Sequence, residues 1–301
     1  MSDLNTKQKA ATSLGMAFTW VFLAYALAIG AGLLTEWALR EQDILWRFFV
    51  ADSVATVVIF IFSFLFKNSS FYDPYWSVIP IVLAVGFIYF AVPEADALRQ
   101  GVVLALVAAW GLRLTYNWAR SWQGLHHEDW RYVDFQQKTG SWYWLVSFSG
   151  IHYFPTVMVF LGCLPLLSAL TQNTLPFGWI DALAALVTAL AIAIEGIADN
   201  QLRRFRLSNP PKGAILNTGL WAYSRHPNYF GEMLFWWGIF FFALAEGTHT
   251  WWTGVGTLSI TLLFIFYSVP ALDARSKARR PEFAAHCRRV SAVIPWFPKK
   301  S

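Results

Sequence analysis

The chain has 301 residues, 56% of them hydrophobic and only 14% charged, whereas an ordinary soluble domain carries about 25% charged residues. Its net charge of +5 is concentrated in loops, so it bears on membrane topology first, and no nucleic-acid partner is expected. The two cysteines, Cys163 in an apolar run and Cys287 in a basic tail, form neither a metal spacing nor a disulfide framework.

Apolar segments of near 20 residues recur along the chain, each long enough to cross a hydrocarbon core of roughly 30 Å as a helix. They are apolar nearly all round, which argues against a buried soluble α-domain with polar outer faces. The expected fold is an all-α, polytopic integral membrane bundle of about seven to eight transmembrane helices. The opening MSDLNTKQKAATSLGMAF lacks a clear small-x-small cleavage site and reads as a short leader into the first span. The spans fall at roughly 13–34, 46–66, 76–93, 101–119, 143–170, 178–200, 228–246 and 251–271. The third contains Pro80. The fifth is long and carries Pro155 and Pro165, so a tilt or a break is expected there.

Orientation follows from the short-loop Lys/Arg bias. With eight spans, three basic segments share one side: Arg120, Arg131 and Lys138; Arg203, Arg204, Arg206, Lys212 and Arg225; and the tail from Arg275 to Lys300. Both termini are therefore expected in the cytoplasm.

Polar groups interrupt the apolar pattern at a few places. Asp73, before Pro74, is either a turn former or a carboxyl group on a pocket floor. Arg113, Asn117 and Arg120, with Tyr116 beside them, form a stripe that is either snorkelling arginine or a pocket wall. His126, His127 and Glu128 have the wrong spacing for a helical two-His site, and no metal is expected. His152 and Tyr153 read as satisfied packing residues, with a proton relay as the second reading. Glu195, Asp199, Arg203 and Arg206 recur on one helix face. A carboxylate inside a span costs at least ~2.5–3.5 kcal/mol, so Glu195 and Asp199 should face protein or a polar cavity. That face is either an i,i+4 ion pair at a helix end or a pocket wall with arginines at its mouth for an anionic ligand. In WAYSRHPNYFGEM a helix starts near His226-Pro227. Capping could account for Ser224. Asn228 and Glu232 share a face, with Arg225 at the entrance, which suits a phosphate.

The pieces EGIADNQLRRF (195–205), GLWAYSRHPNYFGEMLFWWG (219–238) and RRPEFAAHCRRVSAVIPWFP (279–298) resemble the C-terminal domain of the membrane steroid 5α-reductase family. The resemblance is closest to that family's bacterial relatives, the DUF1295 group. It reaches back more weakly through WGLRLTYNWAR (110–120) and EDWRY (128–132) to about Asp73. It divides the chain into N-terminal helices at 1–70 and a reductase-like domain at 71–301, with a basic tail at 272–301. More distantly the RHPNY block is similar to sterol C14-type reductases and to isoprenylcysteine carboxyl methyltransferases. The block alone therefore does not choose between NADPH and S-adenosylmethionine.

The resemblance to the reductases implies NADPH, with Asp199, Arg206 and Asn228 on cofactor-contacting positions. Glu195 falls where the steroid enzymes have Asn, and Arg275 falls near a cofactor-contacting His. Arg203, Arg225, His226, Tyr229 and Glu232 belong to the same blocks, and Arg113 and Asn117 join them as cofactor candidates. At the substrate end the family's Glu maps to Asp73 and its Tyr to Trp110, which has no phenol, so Tyr116 becomes the candidate, with Tyr153 and Tyr72 as alternatives. The implied activity is reduction of an activated C=C in a steroid-like or other lipophilic substrate entering from the bilayer, with membrane lipids as neighbours. The rival readings are an S-adenosylmethionine-dependent lipid methyltransferase and a non-enzymatic scaffold. The location expected from the family is a bacterial inner membrane with the cofactor site facing the cytoplasm.

Overall fold

The computed structural model describes residues 13–299, so the expected leader at 1–12 lies outside the described residues. Among these residues the regular elements are helices, apart from one bridge between Ser224 and Ser291. Seven stretches are long and apolar enough to cross a membrane: Leu14–Ala38, Ile44–Phe66, Ser69–Tyr89, Ala97–Ala119, Trp130–Thr171, Trp179–Leu207 and Thr248–Arg279. The protein is a polytopic helical membrane protein.

The helices are α1 (Leu14–Ala38), α2 (Ile44–Phe66), α3 (Tyr75–Tyr89), α4 (Ala97–Ala119), α5 (Trp130–Thr139), α6 (Tyr143–Val146), α7 (Phe154–Gly162), α8 (Leu164–Thr171), α9 (Trp179–Leu207), α10 (Pro227–Leu244), α11 (Gly254–Leu263), α12 (Val269–Arg279) and α13 (Phe283–Arg289). The span expected at 228–246 forms α10 but stands apart from the seven. Its polar first turn and Glu232 lower its hydropathy, and ten of its eighteen residues are buried in protein. The break expected near Pro165 falls at Cys163, between α7 and α8. A second irregularity is a π-helical segment, Ser147–Tyr153, which ends just before Pro155.

The chain divides into two compact units. The first takes in the chain to Leu83 and Gly111–Phe160. In it the small buried face of α1 (Ala17, Ala24, Ala28, Gly32) lies along α2. A β-carbon on Gly32 would come within 3.4 Å of the Ala51 carbonyl oxygen, the kind of close approach small residues allow between membrane helices. Buried hydroxyls stitch this unit: Thr56 to Thr156 at 2.8 Å, Tyr72 to Thr156 at 2.8 Å, and Ser69 to Ser147 at 2.9 Å. His152 is fully buried between the Ser63 hydroxyl and the Ser147 carbonyl, each at 2.9 Å, which makes it a satisfied packing residue.

The second unit takes in Ala84–Trp110 and the chain from Leu161. Its backbone is the α9–α10 pair. The buried face of α9 reads Ala184, Thr188, Ala191, Glu195, Ala198, and α10 meets it with Gly231 and Gly238. A β-carbon at Gly231 would lie 2.7 Å from Glu195 Cβ and 2.9 Å from the Ala191 carbonyl oxygen. At one end of the unit Arg99 makes a two-pronged pair with Asp181, Nε to Oδ1 at 2.7 Å and Nη2 to Oδ2 at 3.0 Å, both side chains being almost fully buried. Asp96 stands at the start of α4, accepting from the Arg99 N–H at 2.7 Å and the Phe177 N–H at 3.2 Å. Those backbone donors, led by Arg99, hold the Asp96 carboxyl below its usual range. Its contribution to stability is therefore full near neutrality and is lost as the pH falls through that lowered pKa.

Removing one member of a buried pair strands the other charge. Asp181→Ala is expected to destabilise the protein by about 3–5 kcal/mol, and the double variant Arg99→Met/Asp181→Leu by less, in thermal unfolding of detergent-solubilised protein.

Candidate functional site

In the second unit the polar stripe of α9 begins with buried Glu195 and rises through half-buried Asp199 and Arg203 to exposed Arg206. The stripe meets the first turn of α10, where the Asn228 amide donates to the Asp199 carboxylate at 3.4 Å. Helix α10 starts as expected: His226 is the N-cap residue and Pro227 opens the first turn.

Ser224 is not that cap. Its hydroxyl donates to the Val293 carbonyl at 2.6 Å and accepts from the His226 N–H at 3.1 Å, so it ties the C-terminal tail to the helix start. Arg225 does the same more strongly. Its guanidinium donates to Asp273 (2.6 and 3.4 Å) and to the carbonyls of Cys287 (3.2 Å) and Val290 (2.5 Å). Four of its five N–H donors are thus engaged within the protein. His226 Nε2 lies 2.9 Å from Asp273 Oδ1, the oxygen that also accepts from Arg225 Nε. The His226 ring stacks on Tyr229, which packs edge-on against Phe264. Arg275 follows two residues after Asp273 on α12, about half a turn round the helix. Beside this clamp, burial and the positive fields of Arg225 and Arg289 hold His286 below the usual histidine value, and burial raises the Cys287 thiol.

Glu232 points the other way, into the unit's interior. Its two oxygens accept the indole N–H groups of Trp110 and Trp236, both at 2.9 Å. Trp110 stacks on Phe235 with ring centres 4.3 Å apart. The indole at position 110 is thus the partner of the carboxylate that capping could not explain.

The remaining candidates lie in the first unit. Asp73 accepts from the Tyr132 hydroxyl at 2.5 Å. Tyr116 is 63% exposed, with the Arg120 guanidinium over its ring at 5.2 Å. Arg113 and Asn117 are half-buried on the same stretch of α4. Glu128 accepts from the Ser69 N–H at 2.5 Å and the Gln136 amide at 2.7 Å. A second carboxylate–phenol pair sits deeper, Asp52 with Tyr75 at 2.6 Å. Among the described residues no group of three His, Cys, Asp or Glu is arranged to hold a metal ion.

Four functional candidates escaped the sequence reading: Asp273, Tyr132, Asp52 and Tyr75. Tyr132 had a signal, since it closes the EDWRY piece. Asp273 had none, because its partners lie 47 and 48 residues away.

The clamp generates a direct test. Asp273→Ala strands Arg225 and His226 and is expected to speed deuterium uptake across residues 290–296 by about tenfold or more, with the helical spans unchanged. Asp273→Glu should restore part of the protection.

An uncharacterized protein of the yeast Schizosaccharomyces pombe is 29% identical over 222 residues, which cover 66% of this chain and 64% of the relative. The chain therefore spans a little under two thirds of that relative's length. No solved structure matches. The family model described as "protein of unknown function (DUF1295)" matches residues 59–290, from within α2 to the end of α13 and the residue after it, and the chain belongs to that family.

Proposed function

We propose that the protein is an NADPH-dependent membrane reductase of an activated C=C in a lipophilic substrate drawn from the bilayer. The observation that carries this reading is the Asn228–Asp199 contact where α9 meets the start of α10, with Arg203 and Arg206 continuing the same face. The donor set suits the cofactor. A carboxylate and an amide side by side offer hydrogen bonds to ribose hydroxyls or a carboxamide, and two arginines, one and two turns further out, neutralise phosphates. S-adenosylmethionine has no phosphate and leaves the arginines without a task.

NADPH, when bound, supplies a hydride to the β-carbon of the activated alkene. Asp199 and Asn228 hold and orient the cofactor. Arg203 and Arg206 bind its phosphates, with Arg275 and Glu195 as further contacts. Arg225 and His226 act by positioning: through Asp273 they set the start of α10, and the His226 ring stacks on Tyr229. In the first unit Tyr132, rather than exposed Tyr116, is the phenol that accompanies Asp73. Within its own unit that pair can hydrogen-bond a carbonyl oxygen; the proton that balances the hydride at the α-carbon comes from water. The positive-inside bias, with α10 counted as a crossing, supports a basic face turned to the cytoplasm.

The test is ligand titration of the purified protein, following NADPH fluorescence with S-adenosylmethionine as competitor. Saturable NADPH binding is expected, weakened about tenfold or more in Asp199→Ala and in Asn228→Ala, each losing a hydrogen bond at a charged centre. Equal affinity in both variants, or binding of S-adenosylmethionine instead, would overturn the reading.

A further inference from the structure

Two cavities in the second unit adjoin at Ser291 and Ala292 and differ in chemistry. The first, of about 360 Å³, is rimmed by Arg288, Arg289 and Lys299, with Trp296 and Phe297 beside them. The second, of about 410 Å³, is almost wholly apolar and runs between α10 (Met233, Leu234, Trp237) and Ile265 and Ile294. Each lies within the size range of ligand sites, roughly 300–1,000 Å³.

Both are built by structure rather than left by loose packing. The tail is pinned to the start of α10 by the Arg225 N–H to the Ser291 carbonyl at 2.9 Å and the Trp296 N–H to the Tyr223 carbonyl at 3.0 Å. The backbone N–H of Lys299 on the Arg289 carbonyl, at 2.9 Å, closes the basic rim. On the apolar side the chain between α11 and α12 is π-helical over Phe264–Ser268, and its wider turn carries Ile265. Arg225 also borders the basic cavity, but its donors are engaged with Asp273, Cys287 and Val290, which leaves the other three cations to face a ligand. Ile294, Trp296 and Phe297 are 65–76% exposed, an apolar ridge set among cations, the composition of a segment at the membrane–water boundary.

A basic cup adjoining an apolar groove is complementary to an anionic amphiphile. We propose that the two cavities form one site for an anionic membrane phospholipid, its phosphate on Arg288, Arg289 and Lys299 and one acyl chain along α10. The site is separate from the Asp199–Asn228 face and does not rest on the reductase reading.

The experiment is native mass spectrometry of the full, detergent-stripped chain titrated with dioleoyl phosphatidylglycerol, dioleoyl phosphatidylcholine, inorganic phosphate and NADPH. Phosphatidylglycerol is expected to bind at least about tenfold more tightly than phosphatidylcholine, as two or three basic contacts imply. Arg288→Gln/Arg289→Gln, exposed positions that leave the fold intact, should erase that preference. Ile265→Trp, which fills the groove, should weaken both lipids alike. Equal binding of the two lipids, a preference that survives the double variant, or lipid binding indifferent to Ile265→Trp would overturn the proposal. Displacement of phosphatidylglycerol by inorganic phosphate or NADPH would overturn it too, making the cup a site for soluble anions. NADPH binding that leaves the lipid in place supports two separate sites.

Discussion

The polar chemistry of the second unit depends on how closely α9 and α10 approach. Gly231 and Gly238, two turns apart on α10, leave no side chain between the helices, and alanine and threonine on α9 complete the seam. Membrane helices gain little from the hydrophobic effect on association, so this packing is where their contact energy comes from. The same approach has a chemical consequence. It brings the carboxylate of Asp199 within reach of Asn228 at the one end of α10 where the backbone N–H groups are not yet used by the helix. A larger side chain at Gly231 would press on Glu195 and the Ala191 carbonyl and separate the two polar walls.

Three buried ionic groups of the second unit are met by donors that match them. Glu232 takes two indole N–H groups, Asp181 takes both prongs of Arg99, and Asp273 takes Arg225 and His226. The last of these does more than satisfy a charge. It fastens the tail, through residues 287–293, to the segment that opens α10, so the tail shapes both the helix start and the basic cup beside it.

Much of this was legible in the sequence, for a physical reason. Hydropathy and helical periodicity are local properties, so the spans, the start of α10 at His226-Pro227 and the shared face of Glu195, Asp199 and Arg203 could be read directly. The boundaries moved by several residues at regular ends too, the first span running on to Ala38, the third stopping at Tyr89 and the sixth reaching Leu207, while the fifth is interrupted by the π segment before Pro155 and the joint at Cys163. Partners distant in sequence leave no such periodic trace. Ser224 looked like a cap and proved to be a tie to Val293, and Trp110 looked like a missing phenol and proved to be the donor to Glu232. Arg99 stood in a loop region poor in positive charge and gave no hint of Asp181, 82 residues on. For Asp73 the sequence named the carboxylate, while its phenol, Tyr132, lay 59 residues away in a piece quoted for resemblance alone.

The central claim is that the α9–α10 crossing holds a phosphate-bearing dinucleotide. The most direct measurement is hydrogen–deuterium exchange of the full chain in detergent, with and without saturating NADPH, read peptide by peptide. The account predicts slower exchange in two segments together, 195–206 and 224–232, and no such effect from S-adenosylmethionine. NADPH that leaves both segments unchanged, or S-adenosylmethionine that protects them in its place, would contradict it.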